Sequence, residues 1–91
     1  MKTKERAVVT VIGKDKVGIL SKVSNAVALA QCNIIDVTQS VLEDFFCMIM
    51  IIDIKEAEQS IEELKKTIEG YVPEMQVHVM HEEIFNSMHR I

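Results

Sequence analysis

Ninety-one residues, 48% of them hydrophobic and 26% charged, are enough for one domain around one shared core and too few for two. A formal charge of −4 and a sequence pI near 5.3 argue against a nucleic-acid partner, because phosphate-backbone binding needs a basic stripe. Apolar runs stay below the roughly 18 residues that cross a bilayer, and the basic start is followed by a stretch that carries Thr10 and stops at Gly13, so neither membrane nor export is expected and the location is read as cytoplasmic.

Ala7 to Ile12 is a β-branched run ended by Gly13, which predicts a buried strand. Leu20, Val23, Val27 and Ala30 then fall at helical spacing, with Asp15 as a candidate N-cap and the turn-former Asn33 beyond the end. Between Asn33 and Leu42, Ile35, Val37 and Val41 alternate with Asp36, Thr38 and Ser40, and Glu43-Asp44 turns the chain into an apolar run from Phe45 to Ile54. This predicts a hairpin whose second strand, apolar on both faces, is covered on both sides. Ala57, Ile61, Leu64 and Ile68 mark a second amphipathic helix, stopped by Gly70 and Pro73, and Met75 to His81 forms a last strand.

The order β-α-β-β-α-β predicts an α+β, ferredoxin-like sandwich with both helices on one face of an antiparallel sheet. The other face would be bare, so a partner is expected to cover it or to extend the sheet. Residues 1–91 are read as one domain with its core at 6–81. In the tail, Glu82 to Ile91, the residues Ile84, Phe85, Met88 and Ile91 share one side of a short helix that needs a surface, on its own domain or on a second copy.

The first loop reads Gly13-Lys14-Asp15-Lys16-Val17-Gly18-Ile19-Leu20, and the hairpin opens with Asn33-Ile34. A helix N-terminus offers unpaired N–H groups to a carboxylate, Gly18 has no side chain to obstruct it, and Asp15 can accept from an ammonium. A Gly followed by two apolar residues at the start of a helix, with an Asn-Ile pair opening a strand, resembles the ACT family over residues 6–81. The loop, Asp36-Val37-Thr38-Gln39 and Ile84-Phe85 are similar to small stand-alone ACT proteins of bacteria and archaea, unattached to any enzyme. The resemblance implies a regulatory domain that binds an amino acid or related metabolite at a homodimer interface, with Asp15 and Gly18 lining the site and Asn33 supplied by the facing subunit. It implies no catalysis and no cofactor. One departure is Gly13, where several amino-acid-sensing ACT domains carry a polar side chain.

Each of these residues also has a plainer reading. Asp15 can cap the helix, Gly18 can serve backbone shape or close packing, and Asn33 can be a turn-former. Cys32 and Cys47 read as reduced core or near-core residues. His78, His81 and His89 do not converge, since the first two lie three apart on a strand and point to opposite faces, so no metal site is expected. Nor do Ser24, the cysteines and the histidines assemble a nucleophile with a base. Ferredoxin-like copper carriers, acylphosphatases and RNA-recognition modules need a Cys-x-x-Cys, a loop Arg or stacking aromatics that this chain lacks. The alternative function is a ligand-free interaction module that regulates a partner enzyme through the bare face or the tail, with Met48, Met50, Met80 and Met88 as an adaptable surface.

Overall fold

A computed structural model describes residues 5–14 and 17–88. Its elements run β1 (Arg6–Gly13), α1 (Ile19–Leu29), β2 (Asn33–Leu42), β3 (Phe45–Asp53), α2 (Ile61–Tyr71), β4 (Gln76–His81) and α3 (Glu82–Met88). The sheet is antiparallel in the order β2-β3-β1-β4, which places the two most apolar strands in the middle. This is the ferredoxin-like sandwich expected from the pattern, with a third short helix added.

Strand periodicity sorts the side chains between two faces. Ala7, Val9 and Val11 of β1 and Phe46, Met48, Met50 and Ile52 of β3 are buried in one core with Ile19, Val23 and Val27 of α1 and Leu64 and Ile68 of α2. Met48 and Met50 are therefore core residues and not a contact surface. The alternate positions Cys47, Ile49 and Ile51 are half-buried on the opposite face. There α3 folds back against β1 and β4, and Val8, which alternates with the core-facing residues, is fully buried. An ion pair of 3.6 Å between Arg6 Nη1 and Glu82 Oε2 ties the first residue of α3 to the first of β1.

The helix ends correct several expectations. The N-cap position of α1 belongs to Gly18, not Asp15, and the inward residue of its first turn is Ile19, 1% exposed, while Leu20 is 37% exposed. At the other end Gln31, at φ +66°, takes the left-handed position usually given to glycine. Its N–H bonds to Ala28 O at 3.0 Å, and that of Cys32 to Val27 O at 3.1 Å, a Schellman closure. The turn thus falls on Gln31, and Asn33 is already the first residue of β2. Ala57 precedes α2, which starts at a Ser60–Glu63 capping box and runs through Gly70 to Tyr71. Ile35 is the extra residue of a bulge in β2, at the register shift between Ile34 and Asp36.

Candidate functional site

Two regions of the surface combine open space with unanswered polarity. The first is the start of α1. Gly18 sits at φ +72°, and a Cβ built there would meet only Lys22 Cε at 4.0 Å, so glycine is required for its backbone and not for close packing. The first turn of α1 holds no acidic residue, and among the described residues no side chain caps it. Its N–H groups consequently keep the partial positive charge of a helix start. Asp15 lies outside the described residues.

Asn33 is far from this loop in the same chain. It pairs with Asp53, whereas Gly13 pairs with Phe46 at the other end of β3. From Phe46 to Asp53 the strand covers roughly 23 Å at about 3.3 Å per residue. The exposed side chain of Asn33 makes no hydrogen bond among the described residues. One chain therefore does not bring Gly18 and Asn33 together.

Gly13 has a packing reason. A Cβ there would stand 2.5 Å from Met75 Sδ and 2.9 Å from Met75 Cε, so the thioether occupies the place of a side chain at the end of β1. A side chain at position 13 would have to displace the end of this buried methionine.

The second region is the face opposite α1 and α2. A groove of about 390 Å³ runs beneath α3, lined by Cys47, Ile49, Met80, Phe85 and Met88, with Thr10 and His78 as polar members. A neighbouring cleft of about 420 Å³ opens at the end of β1, between Lys14, Phe45, Glu74 and Gln76. None of these last four residues stands out in the sequence. Lys14 and Glu74 lie in separate loops while Phe45 and Gln76 open β3 and β4, and the Gly13–Phe46 and Ile12–Gln76 pairings bring them to one end of the sheet.

The thiols differ in setting. Cys32 is buried, its Sγ 3.7 Å from Ala30 O, and burial pushes its pKa up, helped by the Asp53 carboxylate, which disfavours the thiolate. Cys47 is free and half-buried in the groove. Among the described residues no three His, Cys, Asp or Glu side chains gather as a metal site, and no helix is long and apolar enough to cross a membrane. His89 lies outside the described residues.

Comparison with known proteins agrees with this architecture. The family model described as ACT domain matches residues 5–82. The chain is 46% identical over 88 residues to UPF0237 protein lin0537 of Listeria innocua, covering 94% of this chain and 99% of that one. It is 41% identical over 88 residues to UPF0237 protein MK1213 of Methanopyrus kandleri, covering 94% of this chain and 98% of that one. Among solved structures, an ACT domain protein from Streptococcus pneumoniae superposes with a TM-score of 0.76 at 29% identity, covering 91% of this chain and 96% of that one. The chain belongs to the ACT-domain family.

Proposed function

We propose that the protein is a homodimeric sensor of an amino acid or related metabolite, which it binds without catalysis in the reducing cytoplasm. The carrying observation is the separation of Gly18 and Asn33 by the length of the sheet. Antiparallel pairing of two β2 strands would remove it, by laying Asn33 of one copy against the Leu42 end of the other, the end at which β1 leads into the Gly18 loop.

The edge is suited to such pairing. β2 spans Asn33–Leu42 and holds no proline or lysine, the residues that blunt edge strands. Its sole charge is Asp36, its sole bulge lies near Asn33, and Val41 and Leu42 are exposed. The ligand's carboxylate would sit on the N–H groups of α1, its ammonium on Asp15, and Asn33 of the facing copy would close the site. A ligand held by two copies favours the dimer, and the altered surface is what a further protein would read.

The test is a thermal-shift screen against amino acids, nucleotides and folates, with oligomeric mass measured in the same buffer. A ligand at a hundred times its dissociation constant stabilises by about 2.7 kcal/mol, which raises Tm by roughly 10 °C or more. That rise should vanish in Asp15→Ala, and Val41→Lys with Leu42→Lys should yield a monomer. A dimer that answers to no compound would instead favour the interaction module.

A further inference from the structure

β2 is an edge strand with an exposed apolar residue towards each end, Ile34 at 40% and Val41 at 53% exposure. Both point to the side of the helices, because Ile34 pairs with the buried Ile52 and Val41 with the buried Phe46, and directly opposed residues share a face. Val37, opposite the buried Met50, lies on the same side, whereas Asn33, Asp36, Thr38, Ser40 and Leu42 lie on the other.

Strict alternation would put Ile34 and Val41 on opposite faces. They share one because the Ile35 bulge takes up the odd residue. The bulge thereby makes the strand symmetric about Thr38. Counting outward from Thr38, Val37 and Gln39 point the same way, as do Asp36 and Ser40, then Ile34 and Val41, and at the ends Asn33 and Leu42.

We infer, resting on the pairing of β2 strands proposed above, that two copies of this chain meet in one register, with the two-fold axis through Thr38, and that the Ile35 bulge permits it. Ile34 of each copy then meets Val41 of the other, so both exposed apolar residues are covered twice over and the whole strand is used. Asp36, the one charge in β2, meets Ser40, and the two Asp36 residues stand roughly 14 Å apart along the strands. A slip moves the axis to a neighbouring residue and shifts one strand against the other by about 7 Å. With the axis on Val37, Ile34 faces Gln39; with the axis on Gln39, Asp36 faces Leu42. In either case Asn33 no longer faces Leu42, and the site shared between copies is lost.

Cysteine cross-linking of the full chain reads the register. In a Cys47→Ser background, oxidised Thr38→Cys should give a disulfide dimer, since a residue on the axis faces its own copy at about 5 Å between Cα atoms, within disulfide range. Asp36→Cys and Ser40→Cys, both at exposed positions, should each fail to cross-link alone and should cross-link when mixed. Ile34→Glu and Val41→Lys should each weaken self-association at least tenfold, and their equimolar mixture should restore the dimer by setting opposite charges across one rung. A chain that is monomeric in solution would overturn the pairing itself and the dimeric sensor with it. A dimer in which Thr38→Cys does not cross-link, or in which Asp36→Cys cross-links alone, would overturn the register and leave the dimeric sensor standing.

Discussion

Gln31 holds a left-handed conformation that costs an L-residue roughly 1–2 kcal/mol and glycine almost nothing. Gln31→Gly keeps both Schellman hydrogen bonds and should stabilise by about 1 kcal/mol, raising Tm by roughly 4–8 °C in a thermal melt. Cys32 sets a limit on the alkaline side. Its folded-state pKa lies above the ordinary 9.0, so the neutral thiol's contribution is complete below that value and declines as pH rises through the folded pKa. Urea unfolding from pH 8 to 10.5 should show a loss of stability that Cys32→Ala lacks, although that variant starts lower. Little of this was legible in the sequence. Gly13 and Gly18 look alike as loop glycines, yet one makes room for Met75 and the other supplies a positive φ, a distinction that exists only once the backbone is traced.

At the scale of elements, the apolar periods located all four strands and both long helices, because each buries one face against a common core. Their ends followed local bonding that periodicity does not record. α1 begins with Ile19 inward because Gly18 turns the chain just before it, which puts Ile19 instead of Leu20 at the head of an apolar stripe whose Val23, Val27 and Ala30 are buried as expected. α2 begins at Ser60, whose Oγ accepts from Glu63 N at 3.2 Å while Glu63 Oε1 accepts from Ser60 N at 2.9 Å. The Ser-x-x-Glu spacing was present in the sequence as a signal for this start. Ser60→Ala should cost about 1 kcal/mol, read as a lower midpoint in urea with an unchanged slope. The Ile35 bulge was not legible, since alternation from Asn33 onward reads the same with or without one extra residue.

Over the whole molecule, the sequence implied that the face opposite the helices needs cover, and α3 supplies part of it over β1 and β4. Truncation after His81 would uncover Val8, Met80 and the groove. It should lower Tm and increase binding of a dye that reports exposed apolar surface, while the circular-dichroism spectrum remains that of an α+β domain. The candidate regions divide by legibility in the same way. Gly18 and Asn33 carried a recognisable pattern, whereas Lys14 and Glu74 are ordinary surface charges until the sheet places them at one cleft.

The strand order has a kinetic side. The β2–β3 hairpin closes through a two-residue turn, a local event on a scale of about 1–10 μs. β1 must wait, because its partners are β3 and, through Ala7–His81, the last strand. On a growing chain the first strand made is thus the last to be paired on both edges, so folding of the sheet is completed only after residue 81 has been synthesised and is free to return to the start.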